Sequence, residues 1–289
     1  MKYSKFFDEI FSSLTVATDA SLEKYEPYLK ALKNGTILSF PEQEKLLLGF
    51  FDGMMKTPFP NKTEEKGQGV AVIPINGLLS SAGSWWDIGT KEIANVLHEL
   101  YANEAVKAIV FDISSQGGTT ECVIPLESAI AKRNKPIISA VNSSCYSAAY
   151  YIASLTDKIL SVHRMGNVGS IGIMTEWVNN EKALSDAGYK KIKIYAPESE
   201  WKNKPTREAE AGKPQLFKDE ILSPWAIQFQ NIVKANRKAL DLNVEGILNG
   251  RTFYAYDALT NGLIDGIKPM DEILQYAFDY STRKKFETL

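Results

Sequence analysis

Apolar residues fall into two spacings that alternate along most of this chain. VAVIPI (70–75), VKAIVFDI (106–113), PIISAV (136–141) and KILSV (158–162) are short runs rich in β-branched residues, each the length of a buried strand. Between them the apolar positions recur every three or four residues, as an amphipathic helix requires. Such segments are TKEIANVLHELYA (90–102), with Ile93, Val96, Leu97 and Leu100 on one side, then ECVIPLESAIAKRN (121–134) and AAYYIASLT (148–156). Strands alternating with helices predict an α/β fold with largely parallel pairing. Further on, the pattern predicts a helix over 180–187, a strand KKIKIYA (190–196) and a polar loop (197–212). A long helix follows, with Leu222, Trp225, Phe229, Ile232 and Val233 on one face and Pro224 expected to kink or restart it.

The beginning of the chain is patterned differently. LEKYEPYLKAL and PEQEKLLLGFFDGMM read as amphipathic helices, and NKTEEKGQG (61–69) as a linker or exposed turn. The expected division is a helical extension with its linker over 1–66, an α/β domain over 67–270, and a tail over 271–289 that ends in the polar STRKKFETL. No internal repeat or low-complexity tract interrupts it.

Composition narrows the function classes. A net charge of −2 offers no basic field for nucleic acid or an anionic membrane. Cys122 and Cys145 are the only cysteines, which excludes a disulfide framework and suits a reducing compartment. No apolar run reaches the ~18 residues of a membrane span. At the start, Asp8 and Glu9 interrupt what would be the apolar stretch of a signal peptide, so the segment reads as an amphipathic helix of a cytoplasmic protein.

The candidate chemistry centres on a serine. In SSCYSAAYYIAS (143–154), Ser147 lies at a strand-to-helix junction, with Ala148 and Ala149 where bulkier residues could pack. One account is a helix cap in a tight core; the other is a nucleophile whose neighbours leave room for a substrate. Neither histidine supports a Ser-His-Asp triad, since His98 sits within an amphipathic helix and His163 closes a strand. No metal-ligand spacing and no phosphate-cradling glycine motif occurs, so neither metal nor cofactor is expected. Cys145, without an activating neighbour, reads as a packed small thiol. A lysine remains as the base, because a neutral amine can take the serine's proton once burial lowers its pKa from about 10.4. In ESEWKNKPT, Lys202 has Trp201 beside it. SSQGGTT (114–120) adds a glycine pair able to turn the chain sharply and to leave a backbone N–H open to a carbonyl oxygen, and GNVGSIGIM (166–174) adds a Gly-rich bend between strands. Taken singly, each is also satisfied by a plain turn.

In their order these motifs resemble the signal peptide peptidase A family of serine proteases, whose fold is the Clp/crotonase-like superhelix of repeated β-β-α units. Ser115-Gln116-Gly117-Gly118 is similar to the family's SPGG, Ser147-Ala148-Ala149-Tyr150-Tyr151 to its SGGYY, and GSIGI (169–173) matches unchanged. NGRTFYAYDALTNGLIDGI (249–267) resembles the family's C-terminal motif, so the likeness covers about residues 68 to 268. It implies Ser147 as nucleophile, Lys202 as base with Lys204 as runner-up, and the Gly118 and Ala148 amides as the oxyanion hole. It also implies that Gly117 sets the turn and that Ser170 can hold the lysine amine. Gln116 departs from the usual proline. The Ala148-Ala149 pair replaces Gly-Gly as in the phage-encoded branch, the head maturation proteases. The expectation is therefore a Ser-Lys endopeptidase of capsid assembly, cleaving scaffold and head proteins, that works as a homo-oligomer in the host cytoplasm. Three alternatives stay open: a bacterial cytoplasmic protease of the same family that degrades peptides, a crotonase-like enzyme of acyl thioesters, and a capsid-assembly protein without activity. Against the crotonase-like reading, no basic residues are in evidence for a coenzyme A phosphate.

Overall fold

The computed structural model describes residues 49–51, 56–58, 69–83 and 88–287. In chain order its main elements are β1 (Gly49–Phe51), β2 (Lys56–Pro58), β3 (Gly69–Leu79), α1 (Thr90–Ala102), β4 (Val106–Gly118), α2 (Val123–Ala131), β5 (Ile137–Tyr146), α3 (Ala148–Ser154), β6 (Lys158–Ser161) and β7 (Asn167–Gly169). Beyond these come α4 (Glu181–Asp186), α5 (Lys204–Glu210), α6 (Ser223–Asn236), β8 (Thr252–Tyr254), α7 (Ala255–Thr260), β9 (Gly266–Ile267) and α8 (Met270–Glu287).

One mixed sheet organises them, with strand order β2-β1-β3-β4-β5-β6-β9 and β7 pairing both β5 and β8. β3, β4, β5, β6 and β9 run parallel, as the apolar runs predict. The expected β-β-α repeat is present with its two strands fused into one. The register of β3 on β4 breaks between Asn76 and Leu78, and that of β4 on β5 between Ile113 and Ser115. Along β5, Ile138–Val141 pair with β6, whereas Ser144–Tyr146 pair with β7. Each long strand thus spends its first half on the main sheet and its second half reaching toward Ser147.

Alternation along the strands fills two cores. Ile109, Phe111 and Ile113 of β4 face one core together with α1, α2, α3 and α6. Ala108 and Val110 face the other, against Ile273, Leu274 and Ala277 of α8. With both faces covered, the strands can be apolar without interruption. Full burial of a side chain such as Phe111 is worth about 1.5–3 kcal/mol.

Several expectations change. α8 occupies most of the stretch expected as a tail, and its apolar face is what covers the second side of the sheet. In the N-terminal stretch read as helical, β1 and β2 are strands, β1 pairing antiparallel with β3 at the sheet edge; the amphipathic helices read from LEKYEPYLKAL and from residues 1–48 lie outside the described residues. KKIKIYA is no strand: among the described residues no strand pairs with it. The polar loop over 197–212 contains α5. Pro224 marks a restart, as expected: a π-helical turn at Lys218–Leu222 passes into α6 at Ser223, and the missing N–H of Pro224 falls at that junction.

Candidate active site

The second halves of β4 and β5 and the start of α3 converge on Ser147. β5 ends at Tyr146, which lies opposite Gly169 of β7, and the Ser147 N–H donates to the Gly169 carbonyl at 2.9 Å. The Ser147 carbonyl in turn accepts the Tyr151 N–H at 2.8 Å, which opens α3. Between these two constraints Ser147 adopts φ 50° and ψ −121°. A non-glycine residue held there costs about 1–3 kcal/mol, so the surroundings must impose the conformation. They do so through α3, buried along its whole length because Ala148, Ala149 and Ala153 let it sink into the core. Tyr150 O–H donates to the Leu263 carbonyl at 2.8 Å and Tyr151 O–H to Glu127 Oε2 at 2.8 Å, pinning the helix at both sides. Ser147 is only 1% exposed, and its Oγ has no hydrogen-bond partner.

The glycine pair meets this serine. β4 runs through Gly118, so the pair closes a strand rather than following one. Gly117 has φ +103°, and a Cβ on it would lie 2.9 Å from Ser147 Cβ and 3.1 Å from the Ala148 nitrogen. A Cβ on Gly118 would strike the Leu79 carbonyl oxygen at 1.8 Å. Both positions therefore exclude any side chain. Gln116 replaces the family's proline without harm to the turn, since the positive φ falls on Gly117 and not on Gln116. What holds the turn is Ser115, a residue the sequence reading did not single out. Its buried hydroxyl donates to the Gly77 carbonyl at 2.7 Å and accepts the Gly117 N–H at 3.0 Å. The first letter of the SQGG motif was the available signal.

Gly118, Ser147 and Ala148 together line one narrow cleft of about 20 Å³, walled by Val123, Tyr151, Ile173, Trp225 and Phe229 among others. Ser170 follows Gly169 on β7 with φ 53°, its N–H held by the Arg251 carbonyl at 3.0 Å, and lines the neighbouring groove. Burial pushes the Cys145 thiol far up, which keeps it a neutral packing group.

Among the described residues no lysine lines this cleft. Lys202 is exposed in a turn, its N–H bonded to the Ser199 carbonyl. Lys204 pairs with Glu200 at 3.1 Å and lies 4.2 Å from the Trp201 ring centre. Lys202 belongs to an arm, residues 174–203, that contains no buried residue, and Lys204 opens α5 directly behind it. Lys193 pairs with Glu210 and the Arg207 guanidinium covers the Tyr195 ring, so one side of the arm lies on α5. On the other side Val178, Ile192 and Ile194 are 84%, 70% and 89% exposed.

A strained, buried serine, backed by two glycines that no side chain can replace and opening on an apolar cleft, has the layout of a serine peptidase site. Residues 129–281 match the model of peptidase family S49, and the chain belongs to that family. It is 26% identical over 216 residues to Protease 4 of Haemophilus influenzae, covering 72% of this chain and 34% of that protein. To Protease 4 of Salmonella typhi it is 24% identical over 261 residues, covering 89% of this chain and 41% of that protein. The chain thus spans between a third and about two fifths of the length of these two relatives. Among solved structures, a mutant of the 1510-N membrane-bound stomatin-specific protease aligns with a TM-score of 0.49 at 16% identity, over 72% of this chain and 84% of that one. Among the described residues no helix is long and apolar enough to cross a membrane.

Proposed function

We propose that this chain is a Ser-Lys endopeptidase whose base comes from the arm of a second copy. One observation carries the reading: Ser147 has a strained backbone and a buried Oγ without a partner, while Lys202 of the same chain stands exposed on an arm with exposed apolar residues. Docked against a neighbour, Lys202 would lose water beside Trp201, and desolvation would favour its neutral amine. That amine accepts the proton of Ser147 as Oγ bonds to the substrate carbonyl carbon. The Gly118 and Ala148 N–H groups receive the oxyanion, and losing either donor would cost about 2.7–4 kcal/mol of transition-state stabilisation. Collapse breaks the C–N bond, and the lysine returns its proton to the leaving amine. Water, deprotonated by the same lysine, then attacks the acyl ester and frees Ser147. Ser170 directly follows Gly169, the β7 partner of Tyr146 that precedes Ser147, and in this reading its hydroxyl orients the amine by a hydrogen bond.

The setting follows from weaker support. Head maturation in a phage rests on the Ala148-Ala149 pair, whereas the relatives are bacterial Protease 4 chains, which favours a bacterial peptidase degrading peptides. Cleavage of a scaffold protein encoded beside this chain would support the first, and indifference to it alongside ready cleavage of unfolded proteins the second. For the chemistry itself, an unfolded protein substrate is incubated with the parent, Ser147→Ala, Lys202→Ala and Lys204→Ala chains. Loss of cleavage with Ser147→Ala and Lys202→Ala, and retention with Lys204→Ala, is the expected pattern. A Ser147→Ala chain as fast as the parent would end this reading.

A further inference from the structure

We infer that Trp225 sets the substrate preference, admitting aliphatic side chains and excluding rings and charges from the position before the scissile bond. This rests on the peptidase reading of Ser147. A substrate carbonyl held by the Gly118 and Ala148 amides places the side chain on its own α-carbon in the cleft that those residues line together with Ser147. No Asp, Glu, Lys, Arg or His lines this cleft among the described residues, and its one ionisable wall group, Tyr151, turns its hydroxyl away to Glu127. A charged side chain entering it would be desolvated with no partner.

The far wall is aromatic and comes from one helix. Trp225 and Phe229 are four residues apart on α6, hence on one face, and the Phe229 ring lies 5.2 Å from that of Tyr151. Phe229 and Tyr151 are buried and serve the core as well, whereas Trp225 is only half-buried. Phe229 cannot change without opening the core, but Trp225 can. Three rings already converge there around a free volume of only about 20 Å³, so a slim aliphatic chain enters more readily than a fourth ring. The π-helical turn just before α6 fixes which residues that helix presents to the serine.

The test uses full-length protein and peptides identical except for Ala, Leu, Phe, Lys or Asp before the cleaved bond. Parent protein is expected to cleave the Ala and Leu peptides and to cleave the Phe peptide at least about tenfold less well in kcat/KM, in line with what a pocket wall discriminates. Trp225→Ala, and Trp225→Leu as the variant that keeps apolar packing, should raise the Phe peptide at least tenfold relative to the Ala peptide while leaving Lys and Asp peptides uncut. An unchanged order of preference in both variants would overturn the inference. If the parent cleaves none of the peptides, the peptidase reading falls instead, and the pocket is then judged by binding alone. Calorimetry of the same peptides with Ser147→Ala and Ser147→Ala/Trp225→Leu proteins must still show the Phe peptide gaining about tenfold over the Ala peptide; equal affinities would overturn the inference.

Discussion

Ser147 carries two liabilities that a purely structural residue would not keep: a positive φ and a buried hydroxyl with no partner. The second makes a prediction opposite to the usual effect of a core substitution. Removing an unsatisfied buried hydroxyl recovers its desolvation cost, so Ser147→Ala should be more stable than the parent by about 1 kcal/mol. Denaturant midpoints at equal slope would measure it, and a destabilised Ser147→Ala would mean that the hydroxyl has a partner in solution. Gly117 offers the converse case. Gly117→Ala places a methyl 2.9 Å from Ser147 Cβ at φ +103°, and should cost stability and at least a hundredfold in cleavage together. The serine and the glycine pair were legible in the sequence, because each motif has a local geometric reason that residue type reports. Ser115 was not, since its value lies in reaching Gly77, 38 positions away. Ser115→Ala should cost about 1–3 kcal/mol by leaving the Gly117 N–H buried without its acceptor, with part of the cleavage rate lost as the turn relaxes. Restoration by Ser115→Thr would tie the loss to the hydroxyl.

Elements were legible where their own periodicity decides them. α1 is found at the residues its apolar stripe marks, and β3 to β6 cover the runs that predict them to within one residue, because both faces of the sheet are covered and burial agrees with local preference. KKIKIYA failed for the complementary reason: its alternation describes half of a pairing, and the described residues supply no second strand. α8 escaped because charged positions dilute its stripe, although Ile273, Leu274 and Ala277 suffice to seat it on the sheet. One more link fixes the end of α6 against the sheet. Arg237 donates to Asp265 at 2.7 Å and to the Gly262 carbonyl, while Asp265 also accepts the Ile159 N–H and pairs with Lys158. Burial pushes the Asp265 carboxyl up, but the bonds from Arg237 and Ile159 outweigh it and hold the carboxyl below its ordinary range. A depressed folded-state pKa contributes stability that is present above the unfolded value, near 3.9, and is lost as pH falls through the lower folded value. Asp265→Asn should therefore be less stable than the parent at neutral pH, with the gap closing below about pH 4. A gap independent of pH would remove the ion pair from the account.

For the whole molecule, one chain brings Ser147, Gly118 and Ala148 to a shared cleft, while Lys202, the proposed base, stands exposed on an arm. Lys202 was recognisable as a candidate from its neighbours and motif order, yet no sequence pattern reports which copy a side chain serves. The account requires that copies exchange arms, and mixing two inactive variants tests that most directly. Ser147→Ala and Lys202→Ala proteins, each without cleavage alone, are combined, and formation of mixed oligomers is verified by native mass. Recovered cleavage, from intact Ser147 of one copy served by intact Lys202 of the other, is the predicted result. No recovery despite confirmed mixed oligomers, or full activity of either variant on its own, would contradict it.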